Sequence, residues 1–485
     1  MTRRRPLPTP AIVAAAVIVA AAAVAGCFES AEPPATPAPT GAISPERQPV
    51  IVDADFDHSD IAAILVLLRH PDLDVRAITI AGTGLVHCQG GRRMVRYILD
   101  ELGQPDIPFG CGREKGGPDA RPFPDAWRVD SDNGYGLQIT PRVEGGTPRD
   151  AVDVLREAVE DSPSAPTIVT LGPLTNLEDA FAADPFLPDR VAGIHAMLGT
   201  VDAPGNVYVD GLTGDDPLEW NAFADPSAVD AVFATDVPIS IVPLDATKDV
   251  PIPTDLADRL AADHAAAGAD LLYELLLRHP ARLRADEGQQ LWDELAALTL
   301  RKPDLATWAD ALLVVGDDGR LVADEAGRPV RVATSADRPA VEAALLEALR
   351  RGGPRATPFT LAGTLAATFD GTTCTVAVEG GRPGLYTLTY RGPTGTGSQV
   401  VIVGVTGAHP WSDVADWLAT VDLTQEGGEP PEWLVPSGEL TDETGAGGTL
   451  SGTAALDAGT HGPVCIAGEW PALTFTPGEP FAIAE

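Results

Sequence analysis

From Pro49 to about Gly353 the chain alternates short apolar runs with segments whose apolar residues recur at helical spacing. That alternation restricts the fold more than any other feature. "PVIVDAD", "DVRAITIAG", "DIPFGCG", "PTIVTLG", "VAGIHAML" and "VPISIVPLD" are strand-length apolar runs. Between them stand "SDIAAILVLLRH", with Ser59 as its expected cap, "GGRRMVRYILDELG", ended by Gly103, and "PRDAVDVLREAVEDS", "LTNLEDAFAAD" and "ADPSAVDAVFAT". Parallel strands need crossover connections and these helices supply them. The pattern therefore predicts an α/β fold: a mostly parallel, doubly wound (Rossmann-like) sheet with helices on both faces. In such sheets ligands gather at the carboxyl ends of the strands. The turns at Asp53–Asp60, Gly82–Cys88, "LGPLTN" and Asp245 fall there. "LYELLLRHP" and "QQLWDELAALTLRKP" continue the helical texture, and "RPAVEAALLEALRRGG" closes a domain spanning 49–353.

Beyond it, "TCTVAVEG", "GLYTLTYRG" and "SQVVIVGVTG" are period-2 runs separated by Gly-rich turns. They predict a small all-β, sandwich-like domain over 354–485, crossed by one helix at "SDVADWLATVDL" and lacking any catalytic constellation. Ahead of the alternation, "MTRRRPLPTP" and "AIVAAAVIVAAAAVAGC" have the basic start and apolar run of a secretory signal. Val24-Ala25-Gly26-Cys27 resembles a bacterial lipobox, whose cysteine is acylated. This implies a signal peptide over 1–26, a lipid on Cys27, a Pro/Ala-rich tether over 27–48 and an extracytoplasmic lipoprotein at a bacterial cell membrane. The competing reading is an N-terminal membrane helix, for which the run is marginal in length. Export places the remaining cysteines in an oxidising compartment. Domain order favours Cys88–Cys111 and Cys374–Cys465 among the possible pairings, and no C-x-x-C spacing supports zinc. The formal charge of −37 repels phosphate backbones and argues against nucleic acid as a partner.

The stretch "VDADFDHSDIAAILVLL" puts Asp53, Asp55, Asp57 and Asp60 between an apolar strand and an apolar helix. A solvated helix start accounts for Ser59 and Asp60 through the helix dipole. It does not account for Asp53 and Asp55, at the end of a buried strand where unpaired carboxylates are costly. An EF-hand fails, because His58 stands where glycine is needed and Ile64 where a bidentate glutamate is needed. A haloacid-dehalogenase-type phosphatase shares the D-x-D, yet Asp57 replaces its small residue and the downstream lysine and paired aspartates are missing. The fourth reading is a Ca²⁺ site of carboxylates and backbone carbonyls, and the stretch alone does not choose between metal cages.

Downstream residues add to this. "RAITIAGTG", "TIVTLGPLTNLEDAF", "RVAGIHAMLGT", Gly205-Asn206, "LEWNAFADPSA", "PLDAT" and "LWDELAAL" follow in order. With Asp53, Asp55 and Asp60 matching a D-x-D-x-x-x-D-D hallmark, the chain resembles the inosine-uridine-type nucleoside hydrolases from about residue 49 to about 350. The resemblance implies calcium-dependent hydrolysis of the N-glycosidic bond of ribonucleosides. Ca²⁺ would be held by Asp55, Asp60, the carbonyl of Leu171 and Asp293, with Asp53 in support. Asn206, Glu219 and Asn221 would hold the ribose hydroxyls. A calcium-bound water would be the nucleophile and Asp55 would take its proton. The chemistry is coherent, since carboxylates around the ring stabilise an oxocarbenium-like sugar.

Two residues depart from the family. Ser59 stands where an acid usually contacts ribose, and Trp292 where some members place a histidine that protonates a purine. Both are expected at the substrate, Trp292 as a stacking surface or as a packed helix residue. His58, His87 and Asp245 are further candidates, while His195, in mid-strand, reads as a core histidine. The departures leave open a degenerate protein that binds a ribosyl ligand without turnover, and a metal-dependent phosphatase stands further off. Relatives of this type form dimers or tetramers, so a homo-oligomer is a further expectation.

Overall fold

A computed structural model of the chain describes residues 47–137, 139, 148–207, 218–278, 288–421, 431–443, 445–468 and 473–484. The signal segment, Cys27 and nearly all of the expected tether lie outside the described residues. Among the described residues no helix is long and apolar enough to cross a membrane.

Strands β1 (Gln48–Ala54), β2 (Leu73–Ile80), β3 (Phe109–Cys111), β4 (Thr167–Thr170), β5 (Gly193–Ala196) and β6 (Ile239–Ile241) are the six apolar runs. Their connections carry α1 (His58–Leu68), α2 (Cys88–Glu101), α3 (Asp125–Asp132), α4 (Ala151–Glu160), α5 (Thr175–Ala183), α6 (Trp220–Ala224) and α7 (Pro226–Phe233). Next come α8 (Leu244–Thr247), α9 (Leu256–Ala261), α10 (Ala267–Arg278) and α11 (Trp292–Thr299). Strands β7 (Ala306–Val315), β8 (Leu321–Ala323) and β9 (Arg328–Ala336) precede α12 (Arg338–Leu349).

These strands make one nine-stranded sheet in the order β3-β2-β1-β4-β5-β6-β9-β7-β8. All neighbours are parallel except β7, which runs antiparallel to β8 and β9. The expected sheet is thus present, with an antiparallel edge that the strand-helix reading did not anticipate. The chain fills the sheet outward from β1 to β3, then returns to the other side of β1 and proceeds from β4. The connections after β1 and β4 diverge at this reversal and leave a crevice at the strand ends. The two strands are in register there: Asp53 lies opposite Thr170, and the N–H of Leu171 donates to the carbonyl of Asp53 at 2.8 Å.

Alternation along β1 explains the two faces. Val50, Val52 and Ala54 pack with α1, α2, α10, α11 and α12, whereas Ile51 packs with α4, α5 and α7. Every residue of α1 is buried, so "IAAILVLL" has no polar face. The cap of α1 differs from the expectation. Asp57, not Ser59, is the N-cap, and Asp60 returns the bond to the Asp57 N–H in a capping box. Ser59 lies two residues past the cap position, and its hydroxyl turns elsewhere.

The C-terminal strands are β10 (Gly363–Phe369), β11 (Cys374–Gly380), β12 (Gly384–Arg391) and β13 (Ser398–Val405). After α13 (Ser412–Leu418) come β14 (Leu434–Asp442), β15 (Thr449–Leu456), β16 (Gly459–Ala467), β17 (Thr474–Pro477) and β18 (Phe481–Ile483). They form a sheet β11-β10-β12-β15 and a sheet β14-β13-β16-β17, with β18 also on β16. Leu365, Phe369, Tyr386 and Leu388 of the first share a core with Val400, Ile402 and Cys465 of the second, as in a sandwich. Both expected disulfides are present: Cys88–Cys111 ties the start of α2 to β3, and Cys374–Cys465 ties β11 to β16. Residues Arg47–Glu485 form one compact unit.

Candidate active site

The crevice beside β1 and β4 holds a cavity of about 410 Å³. One end is acidic, lined by Asp55, Asp57, Asp60 and Asp293 with Leu171. Asn206, Glu219 and Asn221 line another side. Aromatic walls come from Phe123, Trp127, Trp220 and Trp292, and His58 also reaches the lining. Of the residues singled out for metal, sugar or base, only Ser59 is not on the wall.

Asp55 is held from several directions. It ends β1 just before Phe56, a non-glycine residue at φ 61°, which costs roughly 1–2 kcal/mol and turns the chain sharply. The Phe56 carbonyl accepts from Ser131 Oγ and Tyr135 Oη, both at 3.0 Å, which helps to fix this turn. One oxygen of Asp55 accepts the N–H of Leu85 at 2.9 Å, and its carbonyl accepts the N–H of Val86 at 3.1 Å. Gly84 and Gly172 lie against it: a Cβ on either would stand 2.3 Å or 2.8 Å from the Asp55 Cβ. Asp53, behind it, accepts from Thr79 Oγ1 at 2.5 Å and Asn176 Nδ2 at 2.7 Å on the same oxygen.

Burial dominates the electrostatics. It pushes Asp53 and Asp55 up to about 7, against the Thr79 and Asn176 bonds at Asp53 and the Leu85 N–H at Asp55. Asp60 and Asp293 are held well above the usual carboxylate range, by burial first and then by neighbouring carboxylates. For Asp60 these neighbours are Asp293, Asp55 and Asp57; for Asp293 they are Glu294, Asp55 and Asp57. Asp53 Oδ2, Asp60 Oδ1 and Asp293 Oδ1 are buried with no hydrogen-bond partner among the described residues. Buried, mutually repelling and unpartnered oxygens are the environment that a cation relieves. The donors are hard oxygens, and they fit Ca²⁺ in chemistry. Among the described residues, however, no group of three or more His, Cys, Asp or Glu side chains is arranged to hold a metal ion. The acids share a cavity and one another's fields without forming a closed cage, so a carbonyl such as that of Leu171 would have to complete a site.

The polar side is equally ordered. Glu219 caps α6: one oxygen accepts from Asn221 N at 2.8 Å, the other from Ala222 N at 3.0 Å and Gly199 N at 2.8 Å. Burial raises its carboxyl and these N–H groups oppose the rise. Asn221 Nδ2 donates to the carbonyls of Leu171 and Met197, each at 3.1 Å, which joins the sugar side to the acidic end. Asn206 Oδ1 accepts from Trp220 N at 3.1 Å.

Apart from Trp292, the aromatic wall was not anticipated from the sequence. Phe123 stacks on Trp220 with ring centroids 4.4 Å apart, and Trp127 meets Trp220 edge-on at 5.4 Å. The segment carrying Phe123 and Trp127 is tied down by Arg128, whose buried guanidinium donates to the carbonyl of Gly82 at 2.7 Å. The signal available was the cluster of Phe, Trp and Arg in "RPFPDAWRVD", which has no strand period to give it away. Trp292 and His58 face each other edge-on at 6.3 Å, and His58 Nδ1 lies 2.5 Å from Asp57 Oδ1.

The remaining candidates sort by their contacts. Asp245 accepts the N–H groups of Val201, Asp202 and Ala203, so it shapes a turn. His87 pairs with Asp132 at 2.7 Å, away from the cavity wall. His195 is buried and bonded to the Ala296 carbonyl at 3.0 Å, as a core histidine should be.

The α/β part of the chain is similar to known proteins. A family model described as inosine-uridine preferring nucleoside hydrolase matches residues 50–343. A probable uridine nucleosidase 2 of Arabidopsis thaliana is 30% identical over 277 residues, 56% of this chain and 84% of that protein. A pyrimidine-specific ribonucleoside hydrolase, RihA, of Citrobacter koseri is 29% identical over 277 residues, 56% of this chain and 85% of that one. Among solved structures, a plant nucleoside hydrolase superposes with a TM-score of 0.55 at 26% identity, covering 62% of this chain and 99% of the plant enzyme. An inosine-uridine preferring nucleoside hydrolase of Bacillus anthracis shares the fold at a TM-score of 0.53 and 23% identity, over 62% of this chain and 99% of its own.

Proposed function

The chain belongs to the inosine-uridine preferring nucleoside hydrolase family, and from that premise we propose that its cavity hydrolyses the N-glycosidic bond of ribonucleosides with Ca²⁺, at the outer face of a bacterial cell membrane. It is a hydrolase of N-glycosyl bonds, as its relatives' names describe. The observation that carries the finer reading is the meeting, in one cavity, of unpartnered buried carboxylates with Asn206, Glu219, Asn221 and aromatic walls.

In this reading Asp55, Asp60, Asp293 and the carbonyl of Leu171 would hold the ion, with Asp53 supporting them from the strand. When bound, a hard divalent cation would lower the pKa of water and supply hydroxide at neutral pH. Asp55, fixed by Leu85 N–H and pressed by Gly84 and Gly172, is the carboxylate placed to accept a proton from the attacking water. Glu219, Asn221 and Asn206 bind the sugar hydroxyls and hold the ring in one orientation. The buried acids face the ring as positive charge grows on it, and their field stabilises the oxocarbenium-like state. Phe123, Trp127, Trp220 and Trp292 give the base an apolar slot in which to stack. The lipobox-like Val24–Cys27 supports a lipid anchor on Cys27 and an extracytoplasmic location.

The test incubates the purified protein with uridine, cytidine, inosine, adenosine and guanosine and assays reducing sugar, with and without a chelator. Sugar release that the chelator stops and added Ca²⁺ restores is expected. No release from any nucleoside in excess Ca²⁺ would sink the hydrolase reading. Ser59 off the cavity wall favours one alternative, a protein that binds a ribosyl ligand without turnover. Heat of binding without sugar release in a calorimeter would select it.

A further inference from the structure

Glu294, next to Asp293 on α11, has no part in the scheme above. It is 4% exposed, Ser59 is fully buried, and neither lines the cavity. Ser59 Oγ donates to Glu294 Oε2 at 2.9 Å, and the same hydroxyl oxygen accepts the backbone N–H of Asp293 at 2.9 Å. The first N–H groups of a helix have no acceptor within it, and a side chain at the N-cap usually supplies one. The N-cap of α11 is Leu291, whose side chain has no oxygen to offer and makes no cap bond. Ser59 of α1 provides that oxygen from the neighbouring helix.

The position of this cap gives it a consequence for the site. Ser59 directly precedes Asp60, and the N–H it caps belongs to Asp293. One hydroxyl thus joins the two stretches of backbone that carry Asp60 and Asp293, whose Oδ1 atoms are buried and unpartnered. Glu294 decides which way the hydroxyl points. By accepting its hydrogen bond, Glu294 leaves the oxygen lone pairs to Asp293 N–H and keeps Ser59 from bonding back to its own helix, as serines within helices otherwise do.

We propose that Ser59 and Glu294 are a pair of positioning residues that set the spacing of Asp60 and Asp293, and so the affinity of the cation site. The proposal rests on the Ca²⁺ reading given above. It reassigns Ser59 from the expected sugar contact to a tie between α1 and α11.

The test measures Ca²⁺ affinity by calorimetry on the full chain after chelator treatment, with circular dichroism and Tm to show that each variant is folded. Ser59→Ala and Glu294→Ala are each expected to weaken Ca²⁺ binding about 10–100-fold, the usual range for residues that orient metal ligands. Glu294→Gln keeps an oxygen for the hydroxyl and should stay within about threefold of the parent chain. The double alanine variant should bind no more weakly than the worse single one, since both act through one tie. Folded Ser59→Ala or Glu294→Ala protein that binds Ca²⁺ like the parent overturns the proposal, as does Glu294→Gln that is as damaged as Glu294→Ala. If Ser59→Ala fails to fold, the Glu294 pair of variants decides alone. Failure of the parent chain itself to bind Ca²⁺ removes the ion reading and this proposal together; equal binding by parent and variants removes only this one.

Discussion

Four aspartates within eight residues have four different settings. Asp53 is bonded on one oxygen only, Asp55 is clamped against two glycines, Asp57 caps α1, and Asp60 returns that cap while its second oxygen stays unpartnered. Their spacing suggested a metal site, but not that Asp57 is a cap, because capping depends on where the helix starts. His195 shows another residue-scale effect. Burial pushes it down to about 4 from an ordinary 6.5, against the Ala296 carbonyl bond that favours its charged form. Between those values the unfolded chain binds more protons than the folded one, so stability is complete above 6.5 and falls as pH drops towards 4. The loss from this one group is about 3 kcal/mol at most. Urea unfolding of His195→Gln between pH 7 and 4 should show a shallower loss than the parent chain. An unchanged slope would assign the acid sensitivity to other groups.

At the scale of elements, the site follows from the reversal of strand order beside β1. The loops after β1, β2 and β4 meet there, and two glycines let them approach. A Cβ at Gly84 would stand 2.3 Å from both Cβ and Oδ2 of Asp55, too close for either to remain in place. Gly84→Ala should therefore move Asp55 and lower kcat by about 100-fold or more, since displacements near 1 Å cost about that much. Near-parent kcat in Gly84→Ala would show that Asp55 needs no such clamp. The strands leading to this point were legible because each is an apolar run between turn residues. The strands β7–β9 were not, because only one residue of β7 is buried, it pairs antiparallel with β8 and β9, and no crossover helix separates the three strands. The aromatic segment around Phe123 and Trp127 was equally silent, since residues that wall a cavity from a loop carry no period.

At the scale of the whole molecule, Arg355 holds the stretch between α12 and β10 against the nine-stranded unit. Its side chain is 4% exposed and pairs with Glu101 at 2.9 Å, Glu274 at 2.6 Å and Asp270 at 3.4 Å. Thr453 of β15 adds a bond to the carbonyl of Leu277 at 2.6 Å, so α10 touches both the linker and the sandwich. Arg355→Met leaves three buried acids without that cation and should cost about 3–5 kcal/mol in urea unfolding at neutral pH. A loss below about 1 kcal/mol would mean that the acids find other partners. The sequence made the α/β and β textures legible through period alone, whereas this contact joins residues more than 80 positions apart and has no local signature. The central claim is that one cation and one sugar share the crevice at the reversal point. A crystal structure of the full chain grown with Ca²⁺ and ribose tests it most directly. The account predicts a single ion bound by Asp55, Asp60, Asp293 and the Leu171 carbonyl, with the ribose hydroxyls on Asn206, Glu219 and Asn221. A crevice without an ion at saturating Ca²⁺, or a sugar bound away from these residues, would contradict it.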